Sequence, residues 1–309
     1  MAQINWFKKD LSRLSETAKK MKRMKKTLLI LAALIGVSKV NAQTNPLLNQ
    51  YFNNTYLANP AMAGLAEGAT ADLTFRSQWN NIPGAPMVQN LSATYGWEKV
   101  GVGLNINLDK AGLQRQTRIL ASYAYHLPLN GSAKLHFGLS AGFINQRVDM
   151  QDLIGNPNDP QVGVYNTDHK TYFDGDFGVG LTSQHFIVDF ALVNLKNYFN
   201  RDNLKLINTP AVYAAAGYKI DLGESLFQPK VAYRSFTGIA DIVDIGGQLG
   251  VANQQLLFTA MYHTSKAASF GVGLNYKKKY MINTAYNTQT GNLSGYTAGS
   301  FEINLGINW

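Results

Sequence analysis

Phe301-Glu302-Ile303-Asn304-Leu305-Gly306-Ile307-Asn308-Trp309 alternates apolar residues with Glu, Asn and Gly, one for one. Successive side chains of an extended chain point to opposite faces, so this stretch reads as a strand with one wholly apolar face. The pattern recurs upstream. Val100, Val102, Leu104, Ile106 and Leu108 alternate with Gly101, Gly103, Asn105 and Asn107, and Phe270, Val272, Leu274 and Tyr276 alternate with Gly271, Gly273 and Asn275. Leu135, Phe137, Leu139 and Ala141 behave alike.

Extended along the chain, this reading predicts strands near 68–79, 87–96, 100–109, 113–127, 133–148, 171–182, 185–192, 211–221, 225–235, 240–251, 255–264, 267–277, 280–288 and 299–309. Most approach the ~9 to 11 residues of a tilted membrane strand, and their number, fourteen, is even as barrel closure with both ends on one side requires. Connections after even-numbered strands are tight turns. The longer ones, 80–86, 149–170, 193–210 and 289–298, all follow odd-numbered strands, although three odd connections are also short. That asymmetry fits short periplasmic turns and longer extracellular loops.

Alternation alone suits a soluble β-sandwich equally well. The polar face decides between them: it is mostly Gly, Asn, Ser, Thr and Gln, whereas soluble surfaces are roughly a quarter or more charged. Glycine pairs such as Gly101/Gly103, Gly178/Gly180 and Gly271/Gly273 fit a crowded barrel interior. Trp79, Tyr95, Trp97, Tyr125, Tyr262, Tyr276, Tyr280 and Trp309, near strand ends, fit interfacial girdles. A propeller is opposed by the lack of a repeated block of ~40 to 50 residues. The expected fold is an all-β transmembrane antiparallel barrel of about fourteen strands, which pairs every backbone group as a hydrocarbon environment demands.

The formal charge of +9 is concentrated at one end: residues 1–42 hold ten Lys/Arg and two Asp/Glu, and the remainder holds 18 and 17. A near-neutral body with no basic stripe argues against nucleic-acid binding. Lys19, Lys20, Lys22, Arg23, Lys25 and Lys26 run into the apolar segment Thr27 to Val37 and then Val40-Asn41-Ala42, the three parts of a secretory leader. Eleven apolar residues are too short to span ~30 Å of hydrocarbon. The expected organisation is a signal peptide at 1–42, with Met24 a plausible true start, an N-terminal periplasmic or plug segment at 43–67, and a barrel at 68–309.

With no Cys, thiol chemistry is excluded. Of the five histidines, His126 and His136 fall on the polar faces of neighbouring strands and can meet in the lumen, where a hydrogen-bonded side chain is the ordinary role. Asp149, Asp152, Asp159, Asp168, Asp174 and Asp176 cluster in and after the longest loop but lack EF-hand spacing, and read as solvated loop acids. Lys277-Lys278-Lys279 reads as a turn kept wet by its charge, with a periplasmic contact as the alternative. No P-loop or dinucleotide fingerprint is present, and no cofactor or metal is expected.

Gln50-Tyr51-Phe52-Asn53-Asn54, then Asn59-Pro60-Ala61-Met62-Ala63-Gly64, then Arg76, Gln78 and Trp79 together resemble the PorP/SprF family of Bacteroidota, whose members open with a Tyr-rich segment, an Asn-Pro-Ala-x-x-Gly turn and an Arg-x-Gln-Trp-like element. The resemblance covers most of 45–309 and implies a non-enzymatic outer-membrane barrel of the type IX secretion system. It further implies export or surface anchoring of an adhesin used in gliding, with the adhesin's C-terminal domain, other secretion components and outer-membrane lipid as partners. A passive porin, or less readily a barrel hydrolase, is the alternative. Three groups of residues are singled out. Asn59, Pro60, Ala61 and Gly64 should fix the N-terminal segment in a turn, and Phe301 and Trp309 should close the barrel against the first strand. Tyr165, Tyr172, Tyr198 and Phe199, in and around the two longest loops, should contact the partner.

Overall fold

The structure, a computed structural model, describes residues 49–79, 84–149, 170–199, 210–236, 239–289 and 299–309. The expected leader at 1–42, Tyr165 with nearly all of loop 149–170, and residues 200–209 lie outside them.

The strands run β1 Gly68–Gln78, β2 Met87–Trp97, β3 Val100–Ala111, β4 Gln114–Pro128, β5 Lys134–Val148, β6 Lys170–Thr182, β7 Phe186–Leu192, β8 Pro210–Tyr218, β9 Ile220–Asp221, β10 Leu226–Phe236, β11 Ile239–Val251, β12 Leu256–His263, β13 Ala267–Tyr276, β14 Tyr280–Gln289 and β15 Ser300–Asn308. Each pairs antiparallel with its sequence neighbours, except that β8 and the two-residue β9 both pair with β10 and share one place in the wall. Fourteen places result. β15 pairs with β1 from Thr70↔Asn308 to Gln78↔Ser300, and the Trp309 N–H donates to Ala69 O at 2.9 Å, so the sheet closes and no edge is left.

Burial is inverted relative to a soluble protein. Outward side chains are apolar and open: Leu139 is 55 % exposed, Phe143 61 % and Phe270 56 %. Inward ones are polar and enclosed, among them Thr74, Asn90, Gln116, His136, Lys230, Asp244 and Asn304. Only a hydrocarbon solvent makes that arrangement favourable, at ~25 cal/mol per Å² of apolar surface. A cavity of about 620 Å³ opens on this outer wall, between Phe227, Phe258, Phe270, Tyr286 and Phe301.

Tyr95, Trp97, Tyr125, Tyr218, Tyr276, Tyr280 and Trp309 stand exposed at the rim that carries the tight turns and the start of β1, which is the periplasmic rim by the loop-length rule. Trp79 is a correction to the expected girdle. It leaves β1 with φ of 49°, is half-buried, and its indole Nε1 is enclosed rather than facing lipid.

Candidate functional site: the plugged lumen

The segment between Asn49 and Gly64 lies inside the barrel. Its chain climbs in reverse, from Gly64 at the periplasmic rim to Asn49 near the opposite end of β15, and it is tied to the wall on all sides. At the top, Glu302, 1 % exposed, accepts from Asn49 N at 3.1 and 3.0 Å, from Asn49 Nδ2 at 3.1 Å and from Gln50 Nε2 at 2.7 Å. Arg76 is the register partner of Glu302 across the β1–β15 seam. Gln78, with its amide turned to face Arg76, accepts from Arg76 Nη2 at 3.0 Å. Arg76 and Gln78, the polar part of the Arg-x-Gln-Trp element, therefore flank the carboxylate that holds the plug.

Below this, Tyr51 donates its hydroxyl to Asp244 Oδ2 at 3.0 Å, and its carbonyl accepts from Lys230 Nζ at 2.6 Å. Gln248 Nε2 donates to Asn53 Oδ1 at 3.1 Å and Asn54 Nδ2 to Ser92 Oγ at 2.7 Å. Tyr56 shares a 2.8 Å hydrogen bond with Ser122. Burial pushes the Tyr56 phenol up to about 12, because a phenolate here would lose its hydration.

The lowest part is the Asn-Pro-Ala turn. Asn59 caps the short 3-10 helix Pro60–Met62 by accepting from Ala61 N at 2.9 Å, and Pro60 fills the first helical position, where a missing N–H costs nothing. The Asn59 amide donates to Val179 O at 3.0 Å and to Asp189 Oδ1 at 3.4 Å, so one side chain both shapes the turn and fixes it to β6 and β7. Gly64 turns the chain with φ of 64°, and a Cβ there would run into Gly101 Cα and Tyr95 O.

The wall is built to receive this segment. A Cβ at Gly138 would collide with the backbone of Ala61 and Pro60, one at Gly101 with the Ala63 carbonyl, one at Gly178 with the Asn59 amide, and one at Gly180 with the Met62 methyl. Gly103 makes room for the Tyr56 ring. Gly271 and Gly273 also face inward, but their neighbours are wall side chains such as Thr259 and Asn283.

His126 and His136 are register partners, with Nδ1 atoms 2.8 Å apart. His126 Nε2 lies 3.0 Å from the Ala63 carbonyl and must donate to it, which leaves its Nδ1 to accept from His136 Nδ1; His136 Nε2 then accepts from the Thr182 hydroxyl at 2.7 Å. Two neutral imidazoles thus complete the lower seat of the plug.

Asp244 anchors a second relay. Arg234 binds its carboxylate through Nε at 2.7 Å and Nη2 at 2.8 Å, His263 Nδ1 donates to Oδ1 at 2.6 Å, and His263 Nε2 lies 2.5 Å from Ser269 Oγ. Asp, His and Ser meet in the order of a hydrolytic triad. The Ser269 hydroxyl, however, is also engaged by the Asn287 side chain and lies sealed inside the wall, where no substrate carbonyl reaches it. Ser269 is 3 % exposed. The relay holds Tyr51 in place and offers no nucleophile.

The acids Asp174 and Asp176 correct the expectation of solvated loop acids. Both stand in β6 and are buried, because the chain leaving β7 needs acceptors for its free N–H groups. Asp176 accepts from Asn194 N at 2.9 Å and pairs with Arg118 at 2.5 Å, and Asp174 accepts from Lys196 N at 2.9 Å. Asp149, by contrast, sits at the end of β5 near Arg115. Among the described residues no three His, Asp or Glu are arranged to hold a metal ion. Tyr172 belongs to β6, with the Lys196 ammonium 3.9 Å from its ring centroid. Tyr198, in the helical turn Lys196–Phe199, is 40 % exposed, and Phe199 ends that turn.

A closed antiparallel barrel with a lipid-facing apolar wall and a polar lumen is an outer-membrane β-barrel, and here the lumen is filled by the chain's own N-terminal segment. Residues 40–307 match the family described as type IX secretion system membrane protein PorP/SprF, and the chain belongs to it. It is a secretion-system membrane protein of the outer membrane, not an enzyme. No curated protein gives a significant match. Among solved structures, the Ralstonia pickettii toluene transporter TbuX is similar with a TM-score of 0.51 and 11 % identity, over 88 % of this chain and 96 % of that one. The Acinetobacter baumannii outer membrane protein Omp33 has a TM-score of 0.46 at 8 % identity, over 80 % of this chain and 100 % of that one. At such identities the likeness concerns the fold alone.

Proposed function

We propose that the barrel is a docking platform for an exported surface protein, acting with other components of the type IX secretion system, and not a diffusion pore. The observation that carries this is the plug, hydrogen-bonded to β2, β4, β6, β7, β10, β11 and β15, since wall groups spent on the protein's own chain are lost to a water-filled channel. The client we infer is an adhesin, held through its C-terminal domain and displayed for gliding. Support comes from family membership and from the two long loops, 149–170 and 193–210, which exceed what a tight β-protein retains without use. The start of the second is rigid: Asn194 and Lys196 are pinned by Asp176 and Asp174, and Leu195 N donates to Gly175 O at 2.9 Å, presenting Tyr198 from a fixed base. Tyr165, Tyr172, Tyr198 and Phe199 are the residues proposed to meet the partner.

Shortening either loop while the barrel still assembles should release the adhesin into the medium or stop its display, and leave small-solute uptake unchanged. Persistent display together with altered uptake would establish the porin reading instead.

A further inference from the structure

The β13–β14 turn concentrates charge at the periplasmic rim. Lys277, Lys278 and Lys279 are consecutive and exposed, and no other turn of that rim carries more than one lysine. The turn is held rather than loose: Lys279 N donates to Tyr276 O at 3.0 Å, Asn308 N to Lys279 O at 2.8 Å, and Asn308 Nδ2 to Lys278 O at 3.1 Å. The direction of the side chains matters most. The Lys277 ammonium lies 5.2 Å from the Tyr276 ring centroid and the Lys279 ammonium 5.7 Å from that of Tyr280, and both tyrosines face outward, 51 % and 47 % exposed. Two of the three charges therefore lean onto the lipid-facing wall, away from the barrel mouth. Exposed Trp309 lies beside them at the end of β15.

An ammonium over a tyrosine in the aromatic belt sits at the level of lipid phosphates, with its methylene stem over apolar surface. We propose that Lys277, Lys278 and Lys279, with Tyr276, Tyr280 and Trp309, form a binding site for anionic phospholipid headgroups of the periplasmic leaflet. The lean of the charges favours this partner over an acidic periplasmic protein, which would be met at the mouth.

Lys277 and Lys278 both have positive φ, 54° and 56°, the two central positions of a tight hairpin turn where Asn-Gly is preferred. This permits a variant that removes charge without harming the fold, Lys277→Asn with Lys278→Gly. The full mature protein, reconstituted in bilayers of phosphatidylcholine with a minor share of phosphatidylglycerol, is assayed for enrichment of the anionic lipid in its annulus and for thermal stability. Each lysine at an anionic surface contributes about fivefold, so the double variant should lose roughly 25-fold of the preference. In pure phosphatidylcholine it should be at least as stable as the parent, and the charge-preserving pair Lys277→Arg and Lys278→Arg should keep the preference. Equal enrichment for parent and Asn-Gly variant overturns the site. So does a parent that shows no preference for the anionic lipid, as it would if the lysines served an acidic protein.

Discussion

Replacing Glu302 by Ala removes the acceptor of three donors, Asn49 N, Asn49 Nδ2 and Gln50 Nε2, and nothing else the plug uses. Hydrogen bonds to a charged group are worth about 1.5–3 kcal/mol each, but they are not additive, and donors released from the wall regain water. The neighbouring Arg76 loses its counter-charge whether the plug is in or out, so that cost falls on the barrel and not on docking. A net loss of about 2–4 kcal/mol in docking the upper plug follows, which raises the undocked population roughly 30- to 1,000-fold. Single-channel recording in planar bilayers reads this directly. The parent should be silent, a variant lacking residues 49–63 should conduct continuously, and Glu302→Ala should flicker between the two. Glu302→Gln, which keeps one acceptor oxygen, should fall between parent and Ala. Chymotrypsin supplies the second readout, since Tyr51, Phe52 and Tyr56 become cleavable only when the segment leaves the lumen. If Glu302→Ala stays silent and resistant while remaining heat-modifiable, or if the deletion fails to conduct, the plug does not close the barrel and the reasoning fails.

Four further outcomes are expected. Gly138→Val places a side chain against Ala61 and Pro60 and should make the segment protease-sensitive with barrel insertion intact; unchanged resistance would refute the fit. Asn59→Ala loses the helix cap and two wall contacts, and should weaken plug docking by about 1–2 kcal/mol in the same proteolysis assay. Because the folded Tyr56 phenol is raised from about 10 to about 12, its contribution is complete below pH 10 and is lost as pH rises from 10 towards 12, by roughly 2–3 kcal/mol; Tyr56→Phe should remove that share, and not the whole, of the alkaline loss of stability. Mass spectrometry of the mature protein should find its first residue at Gln43, and recovery of peptides from residues 1–20 in the outer membrane would refute cleavage after Ala42.

The barrel was legible because its cause is local. Two-residue alternation and turn chemistry depend on near neighbours, and the strand bounds read from them agree with the structure within about two residues for most strands, β8 excepted, where the wall breaks at Lys219. The meeting of His126 and His136 was legible for the same reason, since a tight turn fixes the register of its two strands. The plug's partners were not. Asn49 finds Glu302 at a separation of 253 residues and Tyr51 finds Asp244 at 193, distances over which no spacing rule operates. The inward glycines signalled crowding without naming the occupant. Asp174 and Asp176 mislead because the longest loop runs up to their strand and groups them with its acids, whereas their task, accepting from the backbone N–H groups of the chain that leaves β7, is set by the sheet.

The path of the plug also couples its docking to closure of the ring. Its residues lead directly into β1, and their topmost partner, Glu302, lies on the strand that closes the ring. Until β15 reaches β1, Asn49 and Gln50 have no acceptor at that end of the lumen, so the upper plug can lock only once the ring has shut. Zipping that seam completes the plug's seat as well, so the loop closure between β1 and β15 is rewarded twice over. A barrel that shuts before its plug is seated would stay an open pore until the segment docks, a hazard that falls on the cell and not only on the chain.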